Sequence, residues 1–502
     1  MQRLTLLGLA FGIAPLSAQT APALSRAASS ITATDVGHRI GVIAADSMMG
    51  RDTPSRGLEL TARYVADQFR KFGLKPGGEN GWLQRYEITR RRLDLSGSRV
   101  VLSAGEQNAV ASFASAVRYD GGPVPETPVK GTALLVGGRQ TAESAGGIEV
   151  RDKIVLYVPQ PSSPPEATQQ ILRALYLAGP KALITLNEAD SAGFAAAIPR
   201  RASERTVVGP APARPVALQV REAVAAGLLT RAGVDLPATR GASEPVVREL
   251  PRLTVAIEMK DSVTSSLSAP NTVGILEGSD PKLKDEYLVY SAHMDHIGIT
   301  PGQIDSINNG ADDDASGTVG VTELAEAFSR PGARPKRSII FLTVSGEEKG
   351  LWGSKYFTDH PPVPIGQIVA DINIDMIGRN WPDTIVAIGK EHSDLGSTLN
   401  RVNAAHRELG MTAIDDRWPE ERFYFRSDHY NFARKGVPIL FFFNGVHEDY
   451  HEVTDSPDKI NSEKEARILR LLFYLGQAIG NVPDRPQWKP ESYKEIVEEK
   501  GG

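Results

Sequence analysis

Not one cysteine occurs among the 502 residues. Disulfides, thiolate metal sites and cysteine nucleophiles are therefore excluded, and any metal must be held by histidine and carboxylates. There is no Lys/Arg-rich run, and a net charge of -5 with a pI near 6.1 leaves no basic footprint for nucleic acid. Beyond the N-terminus, no stretch is apolar over the ~20 residues that a membrane span needs. No internal repeat is visible. What is present is an ordinary globular composition, 41% hydrophobic and 23% charged, enough for a core of normal size. At about 100–200 residues per domain, two or three domains are expected.

The N-terminus reads as a leader. Met1-Gln2-Arg3 supplies a positive charge, Leu4 to Leu16 a short apolar run, and Leu16-Ser17-Ala18 small residues for cleavage before Gln19. Residues 1–18 are expected to be a signal peptide, and the protein to be secreted or periplasmic. An apolar run of about 13 residues is too short for a membrane anchor.

Leu60, Tyr64, Val65, Phe69 and Phe72 recur at helical spacing over 57–73, and Gly73 and Pro76-Gly77-Gly78 stop the helix. Residues 119–250 change character to Pro, Ala, Val and Gly, with short β-type runs at Ala133–Val136, Lys153–Val158 and Ala182–Leu186 and a helical pattern near 167–178. They hold no cluster of histidine with carboxylates and read as an inserted accessory domain. From 285 onward strands and helices alternate. Strands are expected at Tyr287–Tyr290, Ser338–Val344, Ile368–Ile374 and Val437–Phe443, with a helix over Val319–Phe328 that Asp314 or Ser316 can cap. Near-continuous apolar strands predict an α/β fold, a mixed and mainly parallel sheet sandwiched by helices. The domains expected are 24–118 and 251–483 for the main body, 119–250 for the insert, and a polar, peripheral tail over 484–502.

Every one of those strands runs into residues that bind metals. His293-Met294-Asp295-His296 follows the first, and Asp312-Asp313-Asp314 comes after a further loop. Glu347-Glu348 follows the second, Asp375 the third, and His447-Glu448-Asp449-Tyr450-His451 the fourth. Taken singly, each has a bland explanation: a surface pair, a helix cap, solvated carboxylates. Together they bring five segments to the carboxyl ends of strands, where open α/β sheets form their sites.

These residues resemble the two-zinc aminopeptidase and glutamate carboxypeptidase family, metallopeptidase family 28. The resemblance covers about 250–480 and reaches 40–88 through Gly50-Arg51, the 57–73 helix and Gly81-Trp82-Leu83-Gln84-Arg85-Tyr86. Ser427-Asp428-His429, Gly436-Val437-Pro438, Tyr450-His451, Asp455 and Asp458-Lys459-Ile460 resemble its bacterial secreted branch, and 119–250 resembles the protease-associated insert of many members. The resemblance implies a zinc-exopeptidase fold and two zinc ions per chain. His293 and Asp375 would hold the first, Glu348 and His451 the second, and Asp313 would bridge both. It further implies Glu347 as general base, Asp295 orienting His293, and Tyr450 at the oxyanion.

That ligand set makes chemical sense. Each zinc receives three N/O donors and keeps an open position, as catalytic zinc does, and Glu347 stands beside a ligand without having to be one. The expected activity is removal of N-terminal residues from peptides by a two-zinc activated water. A carboxypeptidase or dipeptidase on the same scaffold stays open, because Arg426 can bind a carboxylate. A single-zinc glutaminyl cyclase stays open too, and so, more remotely, does a non-catalytic binding protein. Arg426, Tyr424 and Trp418 are candidate substrate-binding residues within the charged, aromatic stretch 415–430, which can equally be a surface loop. His296 reads as a packing or bracing residue more than a ligand, and Asp428 and His429 as braces. The remaining histidines read as surface residues, with His447 undecided.

Overall fold

The computed structural model describes residues 21–79, 81–119, 121–122, 124–198, 204–209 and 214–499. The leader expected over 1–18 lies outside them. The chain divides into two compact units, one made of the residues up to Tyr86 together with those from Ser268, the other of Glu87–Leu267. Both crossings fall inside strands, Leu83–Leu93 and Asp261–Leu276.

The first unit is built on strands β1 (Asp261–Leu276, from Ser268), β2 (Tyr287–His293), β3 (Ser338–Val344), β4 (Ile368–Ile374), β5 (Thr384–Ile388), β6 (Thr412–Ile414) and β7 (Ile439–Phe442), in the order β6-β5-β7-β4-β2-β3-β1. The central strands β7, β4, β2 and β3 are mutually parallel, while β1 and β5 run antiparallel to their inner neighbours. After β2 the chain pairs β3 on one side and then returns to place β4 on the other. β2 is therefore the strand at which the order reverses.

The apolar strands are apolar because both faces are covered. In β3, Ile339 and Phe341 face one core, while Ile340, Leu342 and Val344 face the other. β7 alternates likewise, with Leu440 and Phe442 opposite Ile439 and Phe441. The first core is closed by helices α1 (Ala33–Ile43), α2 (Arg56–Lys71), α3 (Gly317–Ser329) and α4 (Ser462–Gly480), the second by Phe357 and Phe432 from shorter helices. α2 is the helix expected over 57–73. The Ser55 side chain accepts from Leu58 N at its start, and Gly73 takes φ +76 just past its end.

The second unit carries an eight-stranded sheet in the order 107–112, 99–104, 245–258, 129–138, 154–157, 182–187, 216–221, 117–118. Its middle run from 129–138 to 216–221 is parallel. This unit contains all of 119–250 and adds strands from both flanks.

The stretch after Val482 is mostly exposed and is pinned at several points. Ile496 is 1% exposed in the second core, Trp488 Nε1 donates to Gly436 O, and Arg485 Nε reaches Glu286 at 2.7 Å. Its few apolar residues are too sparse to make a readable period, and of them Ile496 alone is buried among the described residues. Among the described residues, no helix is long and apolar enough to cross a membrane.

Candidate metal centre

Parallel strands deliver their ends to one edge, and this edge collects the acidic and histidine residues. His293 is the last residue of β2, Glu347 and Glu348 follow β3, Asp375 follows β4, and Tyr450 and His451 lie on the loop after β7. Asp313 arrives on the tight turn 311–316 that leads into α3.

The side chains fall into two groups that share Asp313: His293, Asp313 and Asp375 in one, His296, Asp313, Glu348 and His451 in the other. His293 Nε2 is 3.3 Å from Asp313 Oδ1 and 3.6 Å from Asp375 Oδ1. His451 Nε2 is 3.1 Å from both Asp313 Oδ2 and Glu348 Oε2. Zinc bonds of 2.0–2.2 Å in a tetrahedron place neighbouring donors about 3.3–3.6 Å apart. The first group falls within that spacing and the second, at 3.1 Å, lies just below it; their N/O donors are a set zinc accepts, so the residues of each group fit zinc.

The turn that presents Asp313 is held from all sides. Asp314 Oδ2 accepts from His293 N, and its Oδ1 from Gly317 N, the first residue of α3, and from Met376 N. Asp312 Oδ1 accepts from Gly378 N, and its Oδ2 lies 3.1 Å from His447 Nε2. Asp455 accepts from the backbone N–H groups of Asp312 and Asp313. The outer two aspartates thus brace backbone while the middle one faces the ligands. Arg51, fully buried, donates to Met294 O, Ile43 O, Asn309 O and Gly310 O, which ties the loops flanking His293 and Asp313. Burial lowers its pKa, and the nearby carboxylates, Asp313 first, oppose that.

A family model for "Peptidase family M28" matches residues 271–476. That segment belongs to peptidase family M28. Leupeptin-inactivating enzyme 1 of Streptomyces exfoliatus is 27% identical over 223 residues, 44% of this chain and 46% of that protein. A probable zinc metalloprotease of Pyricularia oryzae is 26% identical over 271 residues, 44% of this chain and 52% of that protein. The chain spans about half the length of these curated relatives. An aminopeptidase from Aneurinibacillus sp. strain AM-1 aligns over 93% of this chain and 98% of its own, with 18% identity and a TM-score of 0.46.

All five predicted ligands and Glu347 lie inside the M28 segment, whereas Arg51 and Thr53, which brace them, lie upstream of it. Thr53 Oγ1 donates to Asp295 Oδ2 and accepts from Gly346 N. Asp295 differs from its expected role. His293 Nδ1 is 3.1 Å from the Asp295 backbone carbonyl, while the carboxylate stands 3.8 Å away and accepts from Glu347 N. The Asp295 side chain therefore positions Glu347, and its backbone positions His293. Ser427 donates to Asp375 Oδ2 at 3.0 Å, a role that the bare Ser427-Asp428-His429 run does not reveal.

The charges in the M28 site are tightly opposed. Burial disfavours the charged form of His451, but Asp313 and Glu348 outweigh it and push the pKa up to about 10. Burial also opposes ionisation of Asp313, yet His296, His293 and His451 hold it well below the carboxylate range. Burial pushes the Glu347 carboxyl well above the usual range, with His293 opposing and Asp428 adding.

The cavity at this edge joins both ligand groups to Glu347, Tyr450 and an apolar wall. Arg426 lines it too, its guanidinium 4.7 Å from the Phe423 ring centroid and 3.4 Å from Glu421 Oε2. Tyr424 and Trp418 are not among the lining residues, contrary to expectation. The Tyr424 ring is folded inward at 5% exposure against His392 and His429, and Trp418 packs on Phe423, Phe443 and Trp381. Aromatic residues in a charged loop were drawn to the core instead of to the cavity. His429, buried and stacked on Phe441, sends Nε2 to Tyr424 O and is held neutral by burial, which lowers its pKa to about 3.

Proposed function

We propose that this cavity is the active site of a two-zinc exopeptidase that removes residues from the N-terminus of peptides. The observation that carries the reading is the division of one carboxylate. Asp313 turns Oδ1 to His293 and Oδ2 to His451, so one side chain serves two ligand groups. Relatives described as probable zinc metalloproteases support zinc as the metal. Zinc bound at this edge would polarise the scissile carbonyl and supply a water acidic enough to attack at neutral pH. Two divalent cations would also balance the charges of Asp313, Glu348, Asp375 and Glu347, so the site can be buried without excess charge.

The chain's own residues supply the rest. Glu347 lines the cavity outside both ligand groups, with its backbone N–H held by Asp295. Its carboxylate takes the proton of the attacking water and passes it to the departing amine nitrogen. Tyr450 lines the same cavity, and burial raises its pKa, so its hydroxyl keeps the proton it donates to the developing oxyanion. Met376, Phe423, Phe441, Phe443 and Val446 form the apolar wall, which suits an apolar first side chain, and the carboxylates suit the substrate's free ammonium. Arg426 on the lining favours a second reading, capture of a C-terminal carboxylate. We read the unit Glu87–Leu267 as a protease-associated insert that contributes no catalytic group.

Purified protein should contain two zinc ions per chain by elemental analysis. It should cleave free-amine peptides with an apolar first residue and spare their N-blocked counterparts. Full activity without metal would refute the reading. Cleavage of N-blocked peptides from the free C-terminus would transfer it to carboxypeptidase, and one zinc per chain would favour a cyclase.

A further inference from the structure

His296 stands outside the five-ligand set, and its surroundings are not those of a packing residue. The ring is fully buried. Its Nδ1 lies 2.9 Å from Glu348 Oε1 and 3.6 Å from Asp313 Oδ2, and His451 Nε2 faces the same two carboxylates at 3.1 Å. The four donor atoms all lie within 4.8 Å of one another. These separations bracket the about 3.3–3.6 Å edge of a tetrahedral zinc site. The other ring nitrogen, Nε2, is buried without a hydrogen-bond partner, so among the described residues the imidazole's polar engagement is directed at this cluster.

The backbone confirms that the ring is held there. Gly310 sits at φ +57, and a Cβ on it would come within 2.6 Å of the His296 ring atoms Cγ and Cδ2. His296 N donates to Arg51 O at 3.3 Å, which fixes the strand exit. The ring is thus wedged between the turn that carries Asp313 and the Glu348 carboxylate.

We infer that His296 is a fourth protein donor to the second zinc, so that the two metal positions are unequal: a closed one at His296, Asp313, Glu348 and His451, and an open one at His293, Asp313 and Asp375. Four protein donors are the mark of a retained, structural zinc, and three with a free position the mark of a catalytic one. The closed position should hold its ion through conditions that empty the open one. This rests on the two-zinc reading above, but it can fail separately from it.

The test is metal release from the full-length protein into graded chelator, read by elemental analysis, together with zinc X-ray absorption. Wild type should lose its zinc in two steps. The retained ion should show two imidazoles. His296→Ala should weaken retention of that ion at least about ten- to hundredfold, the range seen even for residues that only support ligands, and leave one imidazole on it. His296→Gln fills the same space and serves if the alanine variant does not fold, with circular dichroism of the metal-free proteins as the control. Two zinc ions released from His296→Ala along the wild-type curve, or a single imidazole on the retained wild-type ion, would overturn the inference and leave the two-zinc reading standing. Protein that binds no zinc at all would overturn both.

Discussion

The two units have the same means of building a site, and only one has the residues for it. Each contains four consecutive parallel strands with buried apolar interiors: β7, β4, β2 and β3 in the first, and 129–138, 154–157, 182–187 and 216–221 in the second. Parallel strands in either unit present a shared carboxyl edge. In the first that edge holds His293, Glu347, Glu348 and Asp375. In the second it holds Gly137-Gly138, Pro159, Asn187 and Arg221, and the acids just beyond, Glu188 and Glu222, are both paired with Arg240. None of the nine histidines lies within 87–267. The sheet provides convergence, and chemistry follows only where carboxylates and imidazoles are placed together at its edge.

That contrast can be broken most severely at Glu347. Glu347→Gln removes the proton carrier and leaves all ligands in place, so kcat should fall about 10²–10⁴-fold while zinc content stays at two. Turnover and metal content measured on one preparation check both halves, and a loss of zinc would make Glu347 a ligand instead. A core truncation in the other unit should do the opposite. Leu156 is fully buried there, and Leu156→Ala should cost about 2–5 kcal/mol of stability, read by denaturant unfolding, with zinc content unchanged. Coupled loss of metal would show that the units do not divide the work as described.

The smallest effect concerns a buried acid of the first unit that is remote from the ligands. Glu323 pairs with Arg39 at 3.0 Å, but burial outweighs that pairing and pushes its pKa up to about 8 from 4.5. A carboxyl whose pKa is raised by folding binds more protons folded than unfolded. Its contribution is fully present below pH 4.5 and is lost as pH rises through about 8. Glu323→Gln should flatten this decline, narrowing the change in melting temperature between pH 5 and pH 8 by roughly a few degrees. A variant with the wild-type slope would assign the decline to other groups.

The ligand group was legible because His293, Glu348 and Asp375 stand at or next to the ends of apolar strands and Asp313 and His451 follow on loops, so chain order already encoded convergence. The same logic read His296 as a brace more than a ligand. Its position, three residues past His293, carries no period, and only the folding of Gly310 and Glu348 around the ring shows where Nδ1 points. Tyr424 and Trp418 failed for the reverse reason, since an aromatic residue in a loop reads alike whether it faces a cavity or the core. Arg51 could be quoted as part of a motif, but its carbonyl partners, Ile43 nearby and Met294, Asn309 and Gly310 in two distant segments, cannot be read from Gly50-Arg51. The strands of the insert at 133–136, 153–158 and 182–186 were legible from composition. Their flanking partners at 99–104 and 245–258 were not, because the pairing joins residues about 150 apart.

Arg51 has a consequence for how the molecule is made. Its guanidinium closes on Met294, Asn309 and Gly310, all synthesised after the second unit, whose length is about 180 residues. These carbonyls lie 243 to 259 residues after Arg51, so at about 5–20 residues per second a nascent chain would wait roughly 12–50 s between the emergence of Arg51 and that of the carbonyls it serves. During that interval the N-terminal helices have no sheet to cover. The second unit, by contrast, is contiguous and can fold as it emerges, which replaces a long flexible loop by a compact body and lowers the entropy cost of bringing the two halves together. The Glu87–Leu267 unit, once folded, thus shortens the flexible path between the two sequence segments of the first unit.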